Sequence, residues 1–353
     1  MPAIFKNIRR KLASENKTAA YLRYALGEII LVVIGILIAL QVNNWNENRK
    51  LNLRIIANLK NVQSELAVNI QNTDGAIDDL IKRDSVKNLV FNNKLTYSDY
   101  KNGFRSNSSL FFPFNYDNLD LNTVAFNNLT QNSEEIPKKY APIMDKLNYL
   151  YLKMKTRIDV LNQRYQTTVY RNMDNSYRTQ HWFVEDGFKG ALSDDAIHYL
   201  LTNFQYKAEV SRTINDARNL SLAACRYRKN AIDAYLAIAR VLGNEDKTPD
   251  YISYTLKDPK VVDRYMGWYQ QVYGPLNKVT GDQIEITKSG DQLFFTAKTT
   301  QKIPFYYFKN STFFFVNDPK LITFDKTGEL TLITGWTDVL KFKKVKGSIG
   351  YKE

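Results

Sequence analysis

Three patterns of hydrophobic and polar positions follow one another along the chain. Ile29 to Leu40 is apolar throughout, counting Gly35, and Glu28 is the only charged residue in the 19-residue window Tyr24 to Val42. About 20 apolar residues cross a hydrocarbon core, so this window predicts a membrane-spanning helix. From Ile55 the pattern changes. Ile55, Leu59, Val62, Leu66, Ile70, Ile77 and Leu80 recur at helical intervals and mark one face of an amphipathic helix, with Gly75 its weak point. Leu147, Leu150, Met154, Ile158, Leu161 and Tyr165 mark a second helix. A third starts at Ser193, which can cap it ahead of Asp194 and Asp195. Its stripe runs through Ile197, Leu201, Phe204, Ala208, Ile214, Ala217, Ala224, Ala231, Tyr235, Ile238 and Leu242 without a break, and Gly243-Asn244 ends it. Such stripes need partners, which predicts an elongated antiparallel bundle, intramolecular or coiled-coil-like across subunits.

Beyond residue 250 the period shortens to two. QIEITKSGDQLFFTA alternates around Ser289-Gly290-Asp291, and LITFDKTGELTLITG around Lys326-Thr327-Gly328. With IPFYYF, STFFFV and VLKFKKV these runs predict at least six short strands in a small antiparallel barrel or strongly curved sheet. Phe305 to Phe308 and Phe313 to Phe315 put aromatics on both strand faces. One face fills the barrel and the other meets the bundle, another chain or a ligand. A small apolar molecule in the barrel mouth is a further reading. The expected class is therefore an α+β membrane protein. Residues 1–23 form a basic tail, 24–45 an anchor, 46–250 a helical bundle and 251–353 a β-module.

Charge sharpens the membrane reading. The net charge of +13 is uneven: residues 1–50 carry 8 Lys/Arg against 3 Asp/Glu, residues 51–250 carry 26 against 23, and residues 251–353 carry 15 against 10. The near-neutral middle lacks the basic stripe that nucleic-acid binding requires, so nucleic acid is not an expected partner. Lys6, Arg9, Arg10, Lys11, Lys17 and Arg23 precede the apolar run, against Arg49, Lys50 and Arg54 after it. Positive residues stay inside, so the N-terminus is expected in the cytoplasm and the bulk of the chain in the periplasm of a Gram-negative cell, anchored once in the inner membrane. IALQVNNWN has no small-residue cleavage pattern, which argues against a signal peptide. Residues 4–12 are expected to form a basic amphipathic helix on the anionic leaflet. Tyr21, Tyr24 and Trp45 flank the run as interfacial aromatics.

Candidate chemistry is sparse. Cys225 is the sole cysteine, and the two histidines, His181 and His198, exclude an imidazole-rich metal site. Glu134-Glu135 and Asp194-Asp195 read as solvated helix starts, and Ser14 to Lys17 matches S-x-x-K without its companion motifs. No catalytic, cofactor or metal residue is assigned. The candidate assembly or partner contacts are Gly27, Glu28, Gly35 and Trp45 around the anchor, Phe111, Phe112 and Phe114 in SLFFPFNYDNLDLNT, and Trp182 and Phe183 in HWFVEDGF. An acid at a membrane edge is either a hydrated, snorkelling carboxylate or an interhelical contact. The two aromatic stretches, read as connections between helices, either plug the bundle ends or face a partner.

Two resemblances extend this. SENKTAAYLRYALGEIILVVIGILIALQVNNWNENRK resembles the start of a large bacterial single-pass membrane family with a YAxGEIxLVVIGILIALQxNNWNE core and no established activity. That resemblance implies topology, and it groups Gly27, Glu28, Gln41, Asn43, Asn44, Trp45 and Asn46 in one motif. Tyr265, Gly267 and Tyr269 form a YxGxY motif that, with the strands to about residue 346, resembles the lipocalin-like β-domain appended to penicillin-binding-protein-type serine hydrolases. The hydrolase portion itself has no counterpart here. The expected role is a non-enzymatic binding, sensory or scaffold protein acting on the bilayer and on a second copy or another envelope protein. A cryptic envelope hydrolase and a plain envelope spacer are the alternatives.

Overall fold

The computed structural model describes residues 18–103, 108–131, 136–256, 258–274, 282–297, 301–316, 320–333 and 339–347. The expected amphipathic helix at 4–12, Ser14 to Lys17, Glu134-Glu135 and the side chains of Tyr21, Arg23 and Tyr24 lie outside this description. Internal contacts divide the chain into two units, residues 1–59 and 60–353.

Helix α1 (Thr18–Phe91) supplies the described part of the first unit and continues into the second. It contains one segment long and apolar enough to cross a membrane. The large apolar side chains from Ile29 to Leu40 are all exposed, between 47% and 67%, so this stretch of the helix is apolar on every face. Gly75 does not interrupt α1: the bonds on either side of it carry the helix through, at a cost of about 1 kcal/mol relative to Ala.

In the second unit Val62, Leu66, Ile70 and Ile77 of α1 are fully buried, as their spacing predicts. The short helix α2 (Tyr97–Gly103), the 3-10 turn Ser108–Phe114 and α3 (Val124–Thr130) lead to α4 (Ala141–Asn148). A wide-turned π segment, Tyr149–Met154, joins α4 to α5 (Lys155–Thr179). The extra residue of that turn keeps Leu150 in the core and adds Tyr151 to it. HWFVEDGF is itself helical, α6 (His181–Lys189), and not a plain connection.

The third predicted helix is two. Ser193 caps α7 (Asp194–Thr202) as expected, accepting from the Ala196 amide at 3.3 Å. The chain then turns extended at Asn203, whose side chain accepts from the Gln205 amide at 2.7 Å and starts α8 (Phe204–Leu242). An Asn side chain competes with the helix for backbone donors, and here the competition resets the helical phase. Phe204 is consequently 82% exposed, while Tyr206 and Val210 take the core positions. Gly243 ends α8 in the left-handed conformation.

After α9 (Pro259–Tyr265), eight strands close into an antiparallel barrel in simple sequential order: β1 (Gly267–Tyr273), β2 (Gln283–Ser289), β3 (Gln292–Ala297), β4 (Ile303–Lys309), β5 (Thr312–Phe315), β6 (Leu321–Phe324), β7 (Leu330–Ile333) and β8 (Val339–Val345). The expected α+β class thus holds, with β1 strand-forming as well as motif-bearing. Trp268 opposite Val345 and Gln270 opposite Lys343 close the ring. Asn310 and Ser311, both left-handed at φ 48° and 59°, turn β4 tightly into β5. Phe295, Phe305, Phe313 and Phe315 fill the interior alongside Tyr269 and Leu332, Phe295 meeting Phe315 and Phe305 meeting Phe313 edge to face. The YxGxY motif seals one end. Tyr269 Oη donates to the Tyr265 carbonyl at 2.9 Å, and the Tyr265 ring stacks on Phe324. Gly267 sits at φ 126°, where a Cβ would come within 3.1 Å of Lys344 Cε, so the motif needs glycine there.

Candidate functional site

The junction of bundle and barrel gathers most of the unusual chemistry. It lies within the second unit and is held by side chains that reach across. Arg228 of α8 is 1% exposed and uses its whole fork: Nε donates to Asp74 Oδ1 of α1 at 2.6 Å, while Nη1 and Nη2 donate to the Ser253 and Tyr251 carbonyls at 3.1 Å. The segment carrying those carbonyls then pairs with the barrel, the Tyr307 amide donating to the Tyr254 carbonyl at 2.9 Å. Lys309 of β4 pairs with Asp78 of α1. Burial raises the Asp74 carboxyl above its ordinary range, although Arg228 pulls it back. Tyr254, Tyr306 and Phe314 continue the seam, with Lys229 Nζ 5.5 and 5.6 Å from the two tyrosine ring centroids.

Beside this seam opens a cleft of about 780 Å³ between the end of α1, the N-terminal half of α8 and the paired strands β1 and β8 of the barrel. Lys87, Arg218, Lys94, Lys341 and Lys343 line it. Two of these cations share a partner: Asp84 is 3% exposed and pairs with Arg218, while Lys87 Nζ stands 3.8 Å from the same carboxylate oxygen. A local charge count could have found two of these residues, because KFKK in β8 places Lys341 and Lys343 on one strand face. Lys87 and Arg218 were invisible because their helices are neutral on average and only packing brings them together.

A second buried cation organises the bundle. Arg83 of α1 is 2% exposed, pairs with Asp79 and the Tyr165 hydroxyl, donates to the Asn115 carbonyl at 3.0 Å and reaches Asp117 at 3.4 Å. Elsewhere Glu65 accepts from the Tyr151 hydroxyl at 2.8 Å and from the Ala125 amide at 2.8 Å. Asn69 closes both ends of the Asn122 backbone at 2.8 and 2.9 Å. These groups satisfy buried backbone, which is the ordinary use of an interior polar side chain. Cys225 is fully buried, and burial pushes its thiol up to about 12, far from the reactive thiolate. Among the described residues no group of three or more His, Cys, Asp or Glu could hold a metal ion.

The sequence-predicted contacts fall into two sets. Gly27 and Gly35 are exposed on α1, Glu28 is half-buried, and Trp45 is 65% exposed with Arg49 5.9 Å from its ring centroid. The two aromatic stretches, distant in sequence, meet. Phe114 lies 5.2 Å from Phe183 and 6.3 Å from Tyr206, and Trp182 lies 5.6 Å from Phe183. Phe112 is fully buried, whereas Phe111, Phe114, Trp182 and Phe183 are half-buried.

Fold and junction together define an α+β protein with one helix able to cross a membrane, a helical bundle and a closed eight-stranded barrel. The profile of a family of unknown function (DUF6090) matches residues 28–128, from the apolar segment into α3. No curated protein and no solved structure matches the chain.

Proposed function

We propose that residues 24–45 anchor the chain once in a bacterial inner membrane, N-terminus inside, and that the periplasmic body is a non-enzymatic binding, sensory or scaffold module. The observation that carries this reading is the exposed, all-round apolar face of Ile29 to Leu40 in the same chain as a body whose bundle and barrel are locked together through Arg228. A bilayer is the natural solvent for such a helix. The closed eight-stranded order supports the lipocalin-like resemblance of the β-module. Its interior is taken up by packed Phe295, Phe305, Phe313 and Phe315, which favours contacts on the outside over an apolar ligand inside. The half-buried cluster of Phe114, Trp182 and Phe183 supports a protein partner at the bundle, either a second copy or another envelope protein.

In-cell crosslinking of the full-length protein, followed by mass spectrometry of what is captured, tests the proposal. Self-links, or one dominant foreign membrane protein, support it. Reproducible labelling by serine-reactive hydrolase probes, or a body found in the cytoplasm, overturns it.

A further inference from the structure

The cleft beside the junction has the composition of an anion site. Its floor holds two cations that are almost out of water, Lys87 at 5% and Arg218 at 6% exposure, on adjacent helices. Both approach Asp84, with Arg218 on one of its oxygens and Lys87 Nζ 3.8 Å from that same oxygen. Lys94, Lys341 and Lys343 stand at the rim, and among the described lining residues Glu329 is the only acid. Five cations thus line a concave space where walls of low dielectric strengthen each charge. The rim is also apolar: Phe91, Val272 and Tyr273 line it and are 45%, 51% and 59% exposed. A volume of about 780 Å³ falls inside the ordinary range for small-molecule sites.

The barrel is shaped to keep this space. Gly274, at the end of β1, lies at φ 102°, and a Cβ there would meet Leu340 Cδ2 at 2.6 Å and the Val339 carbonyl at 2.8 Å. Only glycine lets β1 leave the sheet so close to β8 at the cleft wall.

We propose that this cleft binds an amphiphilic oxyanion, a molecule with at least two negative charges of the phosphate or carboxylate kind joined to an apolar body. The anionic end meets Arg218 and the lysines, and the apolar part lies on Val272, Tyr273 and Phe91. Arginine supplies the planar fork that oxyanions prefer, and lysines at the rim steer the ligand in. The inference deepens the binding role proposed above and rests on it. A membrane phospholipid with a phosphomonoester head and a soluble phosphorylated metabolite share this chemistry.

The test uses the full-length chain in phosphatidylcholine nanodiscs, titrated calorimetrically with pyrophosphate, short-chain phosphatidic acid and short-chain phosphatidylcholine. Both anionic probes should bind and the zwitterion should not. Phosphatidic acid should bind more tightly than pyrophosphate, which has no apolar body; equal binding would leave a bare oxyanion site and overturn the amphiphilic inference. The exposed pair K341E/K343E should weaken binding by about tenfold or more, while Lys288→Glu on β2 should leave it unchanged. Hydrogen exchange on the unmodified chain gives a second reading: phosphatidic acid should protect the backbone of residues 87–94 and 339–343. Absence of binding by both anions, equal binding by K341E/K343E, or protection elsewhere overturns the inference. Loss of the ligand with crosslinked partners intact would remove this site alone and leave the wider binding reading standing.

Discussion

The guanidinium of Arg228 in α8 lies against the ring of Phe308 in β4, its central carbon 5.4 Å from the ring centroid. The same side chain holds Asp74 of α1 and two carbonyls of the segment leading into the barrel. One residue therefore ties a helix pair, a connecting segment and a strand. Removing it should cost about 3–5 kcal/mol, because a half-buried carboxylate and two carbonyls lose their partner. Chemical denaturation of Arg228→Ala in detergent measures this. The pair D74N/R228M should recover part of the loss, since it leaves no uncompensated charge.

Arg83 makes a sharper demand on side-chain shape. Its partners span Asp79, Tyr165, Asp117 and the Asn115 carbonyl, a spread that only a planar fork covers. Arg83→Lys keeps the charge and should still destabilise the bundle by about 1–3 kcal/mol through unsatisfied buried acceptors. An unchanged denaturation midpoint would show that the charge alone matters.

Stability should fall as pH rises through the titration of Glu209. This carboxyl is 1% exposed, and burial raises its pKa above the ordinary 4.5 despite hydrogen bonds from Gln205 at 3.3 Å and Asn175 at 3.2 Å. A raised folded-state pKa means the native state binds the proton more tightly than the unfolded chain. Stability therefore declines from 4.5 up to the folded pKa and stays lower above it. Glu209→Gln should raise stability at neutral pH and flatten that decline. Asp74 and Asp79, also raised by burial, should leave a residual slope. Melting curves from pH 4 to 8 read both effects.

Neighbouring phenylalanines on β5 should fail in different places. Phe313 is buried inside the barrel, whereas Phe314 is fully buried on its outer face beside Tyr306, whose ring meets Lys229 of α8. Each alanine substitution should cost about 3–5 kcal/mol. Hydrogen exchange should speed up in the barrel strands for Phe313→Ala and along the junction for Phe314→Ala.

The topology can be read from a fusion. Alkaline phosphatase joined after Glu353 should be active, because it folds only outside the cytoplasm, and a cytoplasmic reporter there should be silent. Val33→Asp, in the apolar run, should shift chain out of the membrane fraction, since a mid-span carboxylate costs about 2.5–3.5 kcal/mol to insert.

Helix and strand were legible in this sequence wherever one period governed a whole element. The stripe Val62, Leu66, Ile70, Ile77 and the alternation in LFFTA both reached the core as spaced. Asn203 shows the limit. The apolar spacing runs through it, yet its side chain offers the Gln205 amide a local partner and breaks the helix, so Phe204 leaves the core. The π turn at Tyr149–Met154 is hidden for a related reason, because one extra residue in a turn leaves the apolar residues recognisable while moving Tyr151 inward.

The sequence by itself determined the apolar run, the amphipathic helices, the strand grammar and the aromatic stretches, all of which depend on neighbours within a few residues. Tertiary structure alone decided that Phe114 meets Phe183, that Arg228 meets Asp74 and Phe308, and that Lys87, Arg218, Lys341 and Lys343 share one cleft. Arg228 and Asp74 are 154 positions apart. Such pairings carry no local period, since they arise from how folded elements bury one another's polar groups.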